Sequence, residues 1–160
     1  MEYRLGDTNL EGFESVKKIK LGKGRNYCVY RDQEPYVSVE VDYYSCFSDA
    51  VIFHDYLIIG NYYEGLSVIR LEDLAVEKKD IKGYFGYFEI YDDVLYVLGC
   101  EDITAFDKHM DELWVSDFLA YDGIVCDGID GNIMSISCEM DPPGGWVDKR
   151  IDILTGAVLQ

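Results

Sequence analysis

The segment Ala50-Val-Ile-Phe53 recurs as Tyr87-Phe-Glu-Ile90 and again as Ile124-Val-Cys-Asp127, each time 37 residues further along. A short acidic or glycine turn follows each copy: His54-Asp55, then Tyr91-Asp-Asp93, then Gly128-Ile-Asp-Gly131. A second apolar strand comes next, at Tyr56-Leu-Ile-Ile-Gly60, Val94-Leu-Tyr-Val-Leu-Gly99 and Asn132-Ile-Met-Ser-Ile-Ser137. A third follows at Leu66 to Arg70, Ile103 to Phe106 and Arg150 to Ile153, and fourth strands start near Leu74, Leu113 and Ala157.

Four short antiparallel strands per unit is the plan of a propeller blade. The expected fold is all-β: a partial, half β-propeller-like arc of about three four-stranded antiparallel blades plus an N-terminal hairpin. The whole chain, 1–160, reads as one domain, with an N-terminal segment and hairpin at 1–48 and blades at 49–83, 84–120 and 121–160. The hairpin pairs Asn26-Tyr-Cys-Val-Tyr-Arg31 with Tyr36 to Tyr44, where Val37, Val39, Val41 and Tyr43 alternate with polar neighbours and Tyr44. Its turn is Asp32-Gln-Glu-Pro35. Glu14 to Lys20 fits either a short strand or one helical turn, ended by Gly22 and Gly24. Three blades cannot close a ring of ~4 to 8 blades. The arc stays open, or the hairpin or another chain completes it; an irregular β-sandwich of the same strands is the competing architecture.

Charge narrows the function. Against 14 Lys and Arg stand 31 Asp and Glu, a formal net charge of -17, which opposes binding to nucleic-acid phosphates or anionic lipid. The distribution is uneven. Residues 1–31 carry seven basic and four acidic side chains, whereas 83–148 carry fifteen acids and a single Lys, Lys108. The N-terminal stretch has no apolar signal region, and no run reaches the ~18 to 20 apolar residues of a membrane span, so a cytoplasmic protein is expected. Cys28, Cys46, Cys100, Cys126 and Cys138 are odd in number, widely spaced and without a C-x-x-C, which reads as buried free thiols.

Candidate chemistry is thin, and no catalytic residue, metal site or cofactor is expected. His54 and His109 both fall in polar turns, neither beside a nucleophile elbow. Gly22-Lys-Gly24-Arg is too short for a phosphate loop. Asp92-Asp93 and Glu101-Asp102 could supply a carboxylate pair, but adjacent strand residues point to opposite faces. Asp127-Gly-Ile-Asp-Gly-Asn132 lacks the spacing and closing Glu of a calcium loop and reads as a hairpin turn. Asp141-Pro-Pro-Gly-Gly-Trp146 is an insertion of about ten residues in the third unit. There Trp146 either plugs the open end of the arc or meets a ligand. Of each adjacent tyrosine pair, in Tyr43-Tyr44, Tyr62-Tyr63 and Tyr84 to Tyr87, one should pack inward and the other face water.

The copies ending in Asp130-Gly-Asn-Ile-Met-Ser-Ile136 and Ile151-Asp-Ile-Leu-Thr-Gly156 resemble the repeats of quinoprotein-type propellers, with Trp114 matching their repeat-ending tryptophan. The block Glu139-Met-Asp-Pro-Pro-Gly-Gly-Trp146 followed by Asp152-Ile-Leu-Thr-Gly156 is similar to a C-terminal signature of small bacterial proteins, some of them immunity proteins of polymorphic or contact-dependent toxin systems. That resemblance implies binding to a toxin.

The expectation is thus an acidic immunity or inhibitor protein, monomeric when free, that binds a basic toxin domain, a nuclease being the fitting kind, in a 1:1 complex. Asp92, Asp93, Asp122, Asp127, Asp130, Asp141 and Trp146 are the expected partner-binding residues. The alternatives are a scaffold that homo-oligomerises and an acid-dependent hydrolase.

Overall fold

The computed structural model of the chain describes residues 1–6, 9–43 and 46–160, so Tyr44 of the sequence reading lies outside the described residues. It is all-β. The elements are β1 (Tyr3–Leu5), β2 (Lys17–Lys20), β3 (Gly24–Arg31), β4 (Glu34–Asp42), β5 (Ser48–Phe53), β6 (Tyr56–Asn61), β7 (Leu66–Arg70), β8 (Val76–Lys79), β9 (Phe85–Tyr91), β10 (Val94–Gly99), β11 (Ile103–Phe106), β12 (Glu112–Val115), β13 (Ile124–Asp130), β14 (Ile133–Glu139), β15 (Trp146–Asp152) and β16 (Val158–Leu159), with one 3-10 turn at Tyr62–Glu64. They form four separate four-stranded sheets.

The second, third and fourth sheets are antiparallel meanders, β5 to β8, β9 to β12 and β13 to β16, and coincide with the three repeats. The predicted hairpin is present as β3 and β4, but the N-terminal segment does more than form a hairpin. It builds a fourth complete sheet in the order β1-β3-β4-β2. Lys17–Lys20 is a strand and not a helical turn, and it runs parallel to β4.

Three apolar clusters join successive sheets. Tyr27, Val29, Val37, Val39 and Val41 meet Leu57, Ile59 and Ile69 between the first and second. Ile58, Leu66 and Val68 meet Phe85, Leu95 and Val97 between the second and third. Tyr96, Leu98, Ile103 and Ala105 meet Ile124, Met134, Ile136 and Ile151 between the third and fourth. The period of two explains why β6 and β10 are apolar at nearly every position: alternate residues feed two different cores, Leu57 and Ile59 on one side, Ile58 on the other. β14 has only one such face, so its burial alternates, with Met134, Ile136 and Cys138 inside and Ile133 and Ser135 exposed.

The outer faces of the two terminal sheets differ. On the first, the segment at 9–14 crosses the sheet and buries Phe13 completely, edge-on to Tyr30 with ring centroids 5.1 Å apart. Ser38 is buried as a result, at 2% exposure. Among the described residues nothing covers the outer face of the fourth sheet in this way.

Trp114 locks the third sheet to the fourth. Its indole N–H donates to the Ile153 carbonyl at 2.9 Å, and a Cβ on Gly156 would lie 2.5 Å from its ring. The Thr155-Gly156 turn noted in the sequence is therefore a packing surface for this tryptophan.

Candidate functional site

Because strands in a meander alternate direction, each sheet presents two ends. At one lie the β5-β6, β9-β10 and β13-β14 hairpin turns; at the other lie the residues that lead into β5, β9 and β13.

Asp92, Asp93 and Asp130 fall at the hairpin-turn end. Asp92 and Asp93 both have positive φ, 48° and 60°, as a two-residue type I′ turn requires. The turn of the second sheet meets that of the third here, His54 Nε2 lying 3.2 Å from Asp93 Oδ1. Aspartate tolerates this conformation less well than the favoured Asn-Gly pair. Asp92→Asn with Asp93→Gly is therefore expected to raise the unfolding free energy by about 0.5–1 kcal/mol in urea denaturation. The exposed His54 contact is worth too little to reverse that gain.

Asp122, Asp141 and Trp146 fall at the opposite end, and Asp127 falls at neither. Asp127 sits at a bulge in β13 on the outer face of the fourth sheet, where its Oδ2 accepts a hydrogen bond from Ser137 Oγ at 2.8 Å. A broad ≈730 Å³ groove crosses this face past Ser135, Asp148 and Arg150. The seven predicted residues are all exposed, but the fold distributes them over three places.

The end that carries Asp122 and Trp146 holds an aromatic cluster. Tyr84 is at its centre, with ring centroids 4.7 Å from Phe47, 5.7 Å from Tyr62 and 5.9 Å from Tyr63. Phe118 and Tyr121 stand 4.8 Å apart as an edge-on pair on the same end. Phe47, Tyr84, Asp122, Glu139 and Trp146 line a cleft of ≈300 Å³ floored by Gly86, Gly99 and Gly123.

Two of its walls are tied down. The Tyr84 hydroxyl donates to Asp122 Oδ1 at 2.7 Å, and Glu139 accepts from the Gly144 amide of the insertion loop. Burial, with the Asp122 carboxylate beside it, pushes the Tyr84 phenol well above its ordinary value and keeps it a neutral donor. Trp146 does not fold inward as a plug. It begins β15 and stands 47% exposed at the cleft. Tyr62 is half-buried and Tyr63 exposed, as expected of an adjacent pair; Tyr43 is exposed.

Phe47, Tyr84 and Glu139 were not among the expected site residues. A signal for two of them was present, since Phe47, Tyr84 and Tyr121 are successive positions of the 37-residue repeat.

No disulfide joins the cysteines. Cys28, Cys100 and Cys138 are buried and Cys126 half-buried, and burial pushes all four thiols up. Cys46 departs from the expectation of burial, being exposed. Among the described residues no group of three or more His, Cys, Asp or Glu is placed to hold a metal ion, and no helix is long and apolar enough to cross a membrane.

No family model matches the chain, and no curated protein matches it. Among solved structures it is similar to the computationally designed Ika4 protein, at 12% identity and a TM-score of 0.55 over 74% of each chain. It is also similar to the computationally designed Ika8 protein, at 15% identity and a TM-score of 0.60, over 84% of this chain but 42% of that one. This chain therefore spans less than half the length of Ika8. At these identities the likeness is one of fold alone.

Proposed function

We propose that the four sheets stand as a partial, half β-propeller-like arc and that the chain is a non-enzymatic immunity protein, working in the cytoplasm, which binds and neutralises a basic toxin domain such as a nuclease. The observation that carries this reading is unneutralised acid on the third and fourth sheets. Of the six predicted aspartates only Asp93 has an ion-pair partner among the described residues, and that partner is a histidine. The other internal pairs, Lys20–Glu40, Arg70–Asp73 and Lys79–Glu77, lie in the first two sheets. A nuclease must be basic to grip nucleic acid, and a complementary field speeds its capture.

The test is purification of the tagged chain from its native host in low salt. A basic protein in a 1:1 complex, released as salt rises, is the expected result; recovery of the chain alone, or with partners that salt does not release, contradicts it.

The uncovered outer face of the fourth sheet favours a second reading, a scaffold that homo-oligomerises through that face. Phe13 seals the corresponding face of the first sheet, which weighs against head-to-tail closure of two copies into a ring. A monomeric mass for the pure protein in solution supports the immunity reading, and a stable dimer supports the scaffold.

A further inference from the structure

Resting on the reading that the partner is basic, we propose that the cleft between Phe47, Tyr84, Asp122, Glu139 and Trp146 seats one arginine side chain of that partner. The guanidinium would stack on the aromatic walls and pair with the two carboxylates.

Size, wall chemistry and charge each point to this occupant. At ≈300 Å³ the cleft is at the lower limit of ligand pockets, enough for one side chain. Flat rings and carboxylates together suit a planar cation, which stacks and makes paired hydrogen bonds, better than a compact ammonium. The first sheet already uses this chemistry within the chain: Arg4, Arg25 and Arg31 lie over the rings of Tyr30, Tyr27 and Tyr36 at 4.8, 5.0 and 4.1 Å. Among the described residues no such cation lies over the rings of the cleft. Lys149 Nζ donates to the Leu119 carbonyl at 2.6 Å, and Lys82 sits in the field of the buried Asp102. The rings around the mouth are exposed, Tyr63 at 65% and Tyr121 at 63%, and so can add apolar contact around the anchor.

The experiment is a titration of the whole chain with the blocked peptide Gly-Arg-Gly and with its citrulline analogue, which keeps the shape and loses the charge. The two tryptophan indole N–H resonances are followed by NMR. Trp146 is expected to shift saturably with the arginine peptide and about fivefold or more weakly with citrulline. Trp114, bonded internally to Ile153, stays still and reports that the fold is intact. Asp122→Asn with Glu139→Gln should abolish the Trp146 shift and leave Trp114 dispersed as before. An unmoved Trp146, an equal response to citrulline, or undiminished binding by the double variant overturns the proposal. Failure here together with a salt-sensitive complex from the native host removes the arginine seat and leaves the immunity reading. Specific arginine binding without any basic partner does the reverse.

Discussion

Replacing Phe85 with alanine is expected to lower the unfolding free energy by about 3–5 kcal/mol. The ring is fully buried at the start of β9, tilted against Phe88 with centroids 4.7 Å apart, and it belongs to the middle of the three cores. Its loss removes apolar contact from both the second and third sheets and leaves a cavity that neither sheet can close alone. Gly60 faces the same ring, and a Cβ there would lie 2.3 Å from it, so Gly60→Ala should cost about 1–3 kcal/mol by overpacking. The two substitutions share one contact and should not add. With Phe85→Ala in place, Gly60→Ala is expected to cost less than half of its effect alone. Urea unfolding of the four proteins measures this directly, and additivity within about 0.5 kcal/mol would contradict the packing described.

Asp102 is expected to make the protein less stable as pH rises through the weakly acidic range. Asp102 is 3% exposed, its Oδ2 has no hydrogen-bond partner among the described residues, and burial pushes the carboxyl up to about 6, with Lys82 opposing the rise and Glu101 adding to it. A carboxyl whose folded pKa is raised above its unfolded value binds its proton more tightly in the folded state. The associated stability is complete below the unfolded value of 3.8 and is lost as pH climbs through about 6. The full effect is about 3 kcal/mol. Roughly half, about 1.5 kcal/mol, falls between about pH 5 and pH 8, clear of the pI near 4.2 where solubility is lowest. Other carboxylates also titrate, so the informative quantity is the difference between the wild type and Asp102→Asn. That difference should move by about 1.5 kcal/mol in favour of the variant over this range. A pH-independent difference would show that Asp102 is not held neutral.

Much of the fold was legible because the repeat and the strand alternation are local patterns. The runs Tyr56–Asn61 and Val94–Gly99 are apolar on both faces, and the short acidic turns before them marked them as the second strand of each unit. The first sheet was only half legible. β1 has three residues, and β2 is Lys-Lys-Ile-Lys, with one apolar side chain. Parallel pairing with β4 holds β2 in place, and no local pattern encodes that contact.

The site followed the same division. Asp92, Asp93 and Asp130 were recognisable as turn residues and as negative charge. That turns and strand starts lie at opposite ends of a sheet separates them from Asp122 and Trp146, and charge counting does not register this. The cleft needed Phe47, Tyr84 and Trp146 to converge from three sheets. Phe47 and Tyr84 are one repeat apart but lie outside the apolar segments by which the repeats align. Glu139 stood out only as the first residue of the Pro-Pro-Gly-Gly block.

The most direct test of the proposed capture of a basic partner is the association rate of the purified chain with the basic protein recovered from its host, followed by stopped flow as ionic strength rises. Between about 50 and 500 mM salt the rate constant is expected to fall about tenfold or more. In a variant with Asp92, Asp93, Asp122, Asp127, Asp130 and Asp141 changed to asparagine it should start lower and depend less on salt. An association rate that ignores salt in the wild type, or that the six substitutions leave unchanged, would contradict electrostatic capture by this surface.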